Sequence, residues 1–457
     1  MKTILHLLLA ALFFAACKKS SFLDKRPDQS LVVPQTLTDM QALLDNDRVM
    51  NGAGGFGVVP ALGEMGTTDY FLEEQDLNGF IPPMERNAYT WQKTIYNGET
   101  VPDWNLPYAA VFYANNALEG IEKIERTNAN AQAWDNVKGS ALFYRAYMFY
   151  QLAQVFAAVY DSSTAATDKG IPLRLKADIN ETISRSTVQQ TYDRIIEDLN
   201  EALPLLPSLP LYATRPSKAA VYALLSKVYL NVYDYAKANE NATNCLQLQD
   251  ELMDYNEVDT TVTFPFQPLN SETIFFEAAI PHLSVTPFVA GIDTALYNSY
   301  TADDLRKKLF FTQKESGVIT FMGSYGLYDL FNGIATDEIM LIQAECLARM
   351  NKTTEALNVL NNLLVTRFRT GTYVPYEASN AEEALDITLT ERRKELIMRG
   401  TRWTDLRRLN EDPLTTTILQ RTVQGTTYTL PPNDPRYVYP IPDDVIGYNP
   451  GMFQNPR

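Results

Sequence analysis

A mainly α-helical fold is predicted by three observations. Apolar residues recur at helical spacing over much of the chain, as in "WNLPYAAVFYANNALEGIEKI" and "STVQQTYDRIIEDLNEALPLLP". Two helical hairpins, 216–232 with 234–248 and 336–350 with 353–368, look alike. "ALLSKVYLNVYDYAKANENATNCL" and "LIQAECLARMNKTTEALNVLNNLL" both place small residues where two helices must approach, and Ala238 and Ala356 fall at equivalent places 118 residues apart. Strand-like sequence is concentrated in an insertion at 250–335, "TTVTFPFQPLNSETIFFEAAIPHL", rich in Pro, Thr and aromatics.

The elements follow in order. A Pro-punctuated lead gives way to a short amphipathic helix on Leu37, Met40, Leu43 and Leu44. Residues 51–66, "NGAGGFGVVPALGEMG", are too glycine-rich for regular helix. They are no phosphate loop, since G-x-x-x-x-G-K-[ST] is absent. Helix 105–126 presents Leu106, Val111, Tyr113, Ala117, Leu118, Ile121 and Ile124, and 130–158 is a long aromatic-rich helix. Ser186 is the expected cap of the next helix, which stops at proline. After the second hairpin, 381–409 reads as one long helix, and 410–457, with eight prolines, as an extended tail. The hairpins resemble tetratricopeptide units, too few and too far apart for a plain solenoid.

The chain has 457 residues, 46% hydrophobic and 21% charged, enough for a large core. Its net charge of −16 excludes nucleic-acid binding through a broad basic field and suits a neutral or cationic ligand. Cys245 and Cys346 lie in helix-like apolar stretches and read as buried thiols, neither a disulfide framework nor a zinc site. Past residue 16 the one histidine is His282, too few for a multi-histidine metal site and a poor basis for a Ser-His-Asp triad. Asp303-Asp304 and Asp443-Asp444 lack calcium-loop spacing, so no metal or cofactor is expected.

Met1–Ala16 has Lys2 and then an apolar run ending in small residues, the pattern of a secretory signal and too short to span a membrane. Ala15-Ala16-Cys17 resembles the bacterial lipobox, with Phe14 where leucine is usual; the resemblance makes Cys17 the lipidated N-terminus of the mature chain.

Seven stretches, in order and spanning nearly the whole chain, resemble the SusD/RagB family, the outer-membrane nutrient-binding lipoproteins of Bacteroidetes. They are "SFLDKRPDQS", "WNLPYAAVFYANNALEGIEKI", "ALFYRAYMFYQLAQVFA", "GIPLRLKADINETISRSTVQQTYDRIIEDLNEALPLLP", "RPSKAAVYALLSKVYLNVYDYAKA", "TERRKELIMRGTRWTDLRRL" and "YPIPDDVIGYNPGMFQNP". The resemblance implies one SusD-like domain over 17–457, mainly α, with a tetratricopeptide-like helical hairpin core and inserted loops forming a ligand face. Its parts are helical repeats over about 20–250, an insertion over about 250–335 and a C-terminal part from 336. It further implies a lipid-anchored, surface-exposed outer-membrane protein that is no enzyme. Such a protein captures glycan and passes it to a SusC-like TonB-dependent transporter. A peptide-binding RagB-like uptake protein and an all-α glycosidase are the alternatives. Lys18 and Lys19 precede the first acidic residue, Asp24, so surface placement rests on the family rather than on this tail.

Glu391, Glu395 and Asp405 stand among six arginines at 391–408. One helical turn sets the two glutamates side by side, whereas glycosidase carboxylates flank the sugar, so an ion-pair network with Arg392, Arg393, Arg399, Arg402 and Trp403 is expected. Sugars need flat aromatic faces and polar groups for their hydroxyls, on loops rather than helices. The non-periodic stretch 68–96 offers Asp69, Tyr70, Trp91 and Tyr96, and in the resembled family the corresponding region contributes to the ligand face. The stretch 288–328 adds Tyr297, Tyr300 and Tyr325. Tyr328 is set aside as packed, because Asp329-Leu330-Phe331 follows it.

Overall fold

The computed structural model describes residues 34–457; the expected signal, Cys17 and the "SFLDKRPDQS" lead lie outside the described residues. The body, Thr36–Arg457, is one compact unit.

Helix α1 (Leu37–Leu44) starts in a capping box, Thr36 with Asp39, which satisfies two otherwise orphaned amides. Helix α2 (Pro102–Ile121) begins on proline, whose missing N–H costs nothing in the first turn. Helix α3 (Ala131–Phe156) is buried on nearly every side from Val137 onward, which explains its apolar and aromatic circumference. Helix α4 (Val188–Ala202) packs on α3. Its cap is Thr187, in a capping box with Gln190, not Ser186. Ser186 instead lies in a strand and bonds the Ile171 carbonyl at 2.7 Å.

The two expected hairpins are present as α5 (Lys218–Asn231) with α6 (Tyr235–Leu246), and α7 (Thr336–Arg349) with α8 (Thr353–Leu364). Each link turns on one residue in the left-handed region, Tyr233 (φ 63°) and Asn351 (φ 61°), again 118 positions apart. Ala238 and Ala356 are fully buried, as the close approach of the helices requires. Helix α6 packs on α7, and α7 on α9 (Ala381–Glu395), around Leu341, Ala344, Leu360, Leu363 and Leu396.

The late helix expected over 381–409 is two helices. Helix α9 ends at Glu395 and α10 (Arg402–Leu409) starts afresh. Met398 (φ 56°) and Gly400 (φ 67°) reverse the chain between them. A Cβ on Gly400 would lie 2.3 Å from the Asn332 side chain, so the turn needs glycine for space as well as for φ.

The strands are short and paired two by two, all antiparallel. They are β1 (Tyr70–Phe71) with β5 (Gly291–Ile292), β2 (Lys169–Pro172) with β3 (Arg185–Thr187), and β4 (Thr273–Phe275) with β8 (Ile334–Ala335). Two hairpins complete the set, β6 (Phe311–Gln313) with β7 (Ile319–Phe321), and β9 (Leu419–Val423) with β10 (Thr426–Leu430). The β4–β8 pair closes the base of the insertion. The β9–β10 hairpin corrects the expectation of a wholly extended tail.

Candidate functional site

Six of the seven aromatic or acidic residues picked from the sequence are buried, which corrects the expectation that they stand on open loops. In each case the polar end has found an internal partner. Asp69 takes the Arg393 guanidinium at 2.6 Å. Tyr70 and Trp91 flank the Arg421 guanidinium with Tyr89, and the Trp91 indole N–H donates to the Gly66 carbonyl at 2.9 Å. Tyr96 donates to the Pro440 carbonyl at 2.7 Å, and Tyr300 to that of Lys394 at 2.8 Å. Tyr325 donates to the Glu272 carboxylate at 2.8 Å. Tyr297 alone is half-buried, with the Lys307 ammonium 4.7 Å above its ring. A side chain this well paired is core, whatever the irregularity of its backbone.

The charged motif is an ion-pair web, and its partners come from the insertion and from α8's exit. Arg306 bonds Asp304 (2.7 Å), Glu391 (2.6 Å) and Glu395 (2.9 Å). Arg367 bonds Glu272 (2.8 Å) and Glu395 (2.6 Å). Arg408 joins Glu345 (2.5 Å) and Asp405 (2.8 Å), and Arg392 also reaches Asp405 (2.8 Å). Burial raises the Glu345 pKa, but the arginines outweigh it and hold the acid down at about 2. Glu391 and Glu395 share Arg306, and each carboxylate has a second cation, Lys394 for Glu391 and Arg367 for Glu395, an arrangement for stapling rather than for acid–base work on a sugar. Trp403 contributes packing, against Tyr437 and Tyr439. His282 is structural too, its Nε2 2.8 Å from Asp103 and its Nδ1 3.6 Å from Glu85.

Exposed aromatics gather elsewhere on the insertion. Phe288 is 67% and Tyr328 59% exposed. Their rings are nearly parallel, 13° apart with centroids 6.0 Å apart, and Phe264 meets Tyr328 edge-on at 4.3 Å. Three loops therefore build one aromatic platform. It is fixed from below: Leu330 and Phe331 are buried, and the Ser324 hydroxyl accepts the Phe331 and Gly326 amides. The Lys314 ammonium holds the Phe288 carbonyl at 2.7 Å. The neighbours of Phe264 in the chain, Thr263 and Pro265, line an adjoining cleft of about 300 Å³ with Thr260, Thr261, Thr312 and Lys308. A flat apolar face beside a hydroxyl-lined cleft is the pairing of surfaces that a sugar ring calls for.

Sequence reasoning missed this platform. Phe264 and Phe288 carry no polar end to suggest exposure. The packed residues after Tyr328 mask its exposure, because it stands at a turn, with Leu327 before it at φ 62° and Gly326 bridged to Asp329.

Among the described residues no helix is long and apolar enough to cross a membrane. The family described as "Starch-binding associating with outer membrane" matches residues 21–230, and the SusD family matches 337–457. The chain is 31% identical over 148 residues to the SusD-like protein P2 of Formosa agariphila, a match covering 32% of this chain and 27% of that relative's length. It superposes on the crystal structure of a SusD superfamily protein from Bacteroides thetaiotaomicron with a TM-score of 0.75 at 22% identity, covering 92% of this chain and all of that one. A laminarin-binding SusD-like protein gives a TM-score of 0.64 at 18% identity, covering 91% of this chain and 97% of that one. The helical core and the two family matches, which together take in well over half of the sequence, agree: the chain belongs to the SusD/RagB family.

Proposed function

We propose that the protein is a surface-exposed outer-membrane lipoprotein, anchored through Cys17, that captures oligosaccharide and delivers it to a SusC-like TonB-dependent transporter. The observation that carries the glycan reading is the platform of exposed Phe288 and Tyr328 with half-buried Phe264, beside a threonine-lined cleft. Stacking of apolar sugar faces on the rings supplies affinity, and the threonine hydroxyls and Lys308 meet sugar oxygens. No bond is broken in this reading, since the paired glutamates of α9 are locked onto Arg306 and Arg367.

Calorimetry with laminarin oligosaccharides, other neutral glycans and peptide digests tests the reading, with Tyr328→Ala and Phe288→Ala beside the parent protein. Losing one stacking face, worth up to ~1.5 kcal/mol, is expected to weaken glycan binding about tenfold. Glycan binding untouched by both substitutions would remove the platform from the function. Saturable binding of peptide alone would favour the RagB-like alternative, and release of shorter sugars would restore the glycosidase.

A further inference from the structure

The chain carries a net charge of −16, yet two lysines flank the aromatic platform and neither forms an ion pair among the described residues. Lys314 stands at the Phe288 end. Its ammonium donates to the Phe288 carbonyl at 2.7 Å, which fixes its position and leaves its charge uncompensated. That bond uses one of the three N–H donors of an ammonium. Lys308 stands at the Phe264 end. It is exposed, and among the described residues it is the one charged side chain in the lining of the threonine cleft. The arginines of the web, by contrast, are all paired: Arg306, Arg367, Arg392 and Arg408 each hold a carboxylate. The acids next to this face in the chain are engaged elsewhere or stand apart. Asp259 takes the Thr261 amide and hydroxyl at 2.8 and 2.7 Å. Asp329 accepts the Gly55 amide, and partial burial raises its pKa. Glu315 is exposed in the turn of the β6–β7 hairpin and pairs with neither lysine.

An apolar strip with an uncompensated cation at each end suits a ligand that brings the opposite charge. Resting on the glycan reading above, we propose that the sugar taken here is acidic: an oligosaccharide whose uronate carboxylates or sulfate esters meet Lys308 and Lys314 while its rings lie on Tyr328 and Phe288. A hydrogen bond to an ionised acceptor is roughly twice as strong as one between neutral groups. The anion therefore gains at each ammonium, where a neutral sugar hydroxyl does little more than replace water. The threonine hydroxyls of the cleft donate as well as accept, so they complete the shell of a carboxylate or sulfate seated beside Lys308. The acidity of the whole chain does not forbid this, because physiological salt confines the field of distant surface carboxylates to about 8 Å. The global charge excludes a broad basic field; the charge at this face has the opposite sign.

Calorimetry of the purified protein with two matched pairs tests the assignment: oligomannuronate against the manno-oligosaccharide of the same length, and sulfated against unsulfated laminari-oligosaccharide. At least one charged member is expected to bind about fivefold tighter than its neutral parent, the most that one exposed ion pair gives. The pair that shows the preference tells carboxylate from sulfate. Lys308→Gln, at an exposed position, is expected to bring that pair to parity, and Lys308→Arg to keep the preference. Sugar binding with no preference in either pair, or with a preference unchanged in Lys308→Gln, would overturn the proposal and leave the glycan reading standing. No binding of any of the four sugars would overturn the glycan reading itself, and the proposal with it.

Discussion

Replacing His282 by Gln isolates one buried ion-pair triad. The imidazole ties the 282–288 stretch below the platform to Asp103 at the start of α2 and to Glu85. Asp103 in turn accepts the Ala61 and Leu62 amides at 2.7 and 2.9 Å. Burial alone lowers the His282 pKa, but the Asp103 charge and hydrogen bond, aided by Glu85, outweigh it and raise the value from 6.5 to about 10. The folded state therefore holds this proton more tightly than the unfolded chain. The resulting stability is fully present below pH 6.5 and is lost as pH rises through about 10. At ~1.4 kcal/mol per tenfold in proton affinity, the gain is about 5 kcal/mol, in line with the ~3–5 kcal/mol lost when one partner of a buried pair is removed. Urea unfolding of the parent protein and His282→Gln is the assay. All other titrating groups are common to both, so their difference reports the triad. His282→Gln is expected to be less stable by about 3–5 kcal/mol at pH 6, with the gap closing as pH approaches 10. A gap of the same size at both ends of the range would refute the reasoning.

Three further outcomes are expected. Arg306→Met leaves three buried carboxylates short of their shared partner and costs about 3–5 kcal/mol in denaturant unfolding; a loss below about 1 kcal/mol would show the web to be dispensable. Glu277 is fully buried, with both carboxylate oxygens unpartnered, and burial raises its pKa well above the usual range. The parent protein loses stability from this group as pH rises above 4.5, so Glu277→Gln should gain on it between pH 5 and 8; parallel stability curves would contradict this. Trp91→Ala, which empties a core site, should cost about 3–5 kcal/mol in thermal unfolding and leave glycan affinity unchanged at temperatures where the protein is folded.

What the sequence disclosed and what it hid divide along physical lines. The hairpins were legible because helix pairs impose a repeat on small residues, and Ala238, Ala356, Tyr233 and Asn351 keep the same 118-residue offset. The web at 391–408 was legible as a charge pattern. Its partners Glu272, Asp304, Arg306 and Arg367 were not, since they lie up to 123 positions away and no local spacing links them. The exposed aromatic platform was hidden for a different reason. Tyr96, Tyr300 and Tyr325 sit on irregular backbone yet donate inward, whereas Phe288 and Tyr328 sit on the same kind of backbone and face water. Burial there depends on which distant carbonyl or carboxylate is within reach, which only the fold decides.

The span of the web bears on how the chain is made. Glu272, Asp304 and Arg306 emerge from the ribosome well before Glu391 and Glu395. Until Glu395 arrives, the base of the insertion holds charges whose burial is uncompensated. The insertion therefore docks late, and chains cut short of α9 leave Arg306 and Arg367 without Glu391 and Glu395.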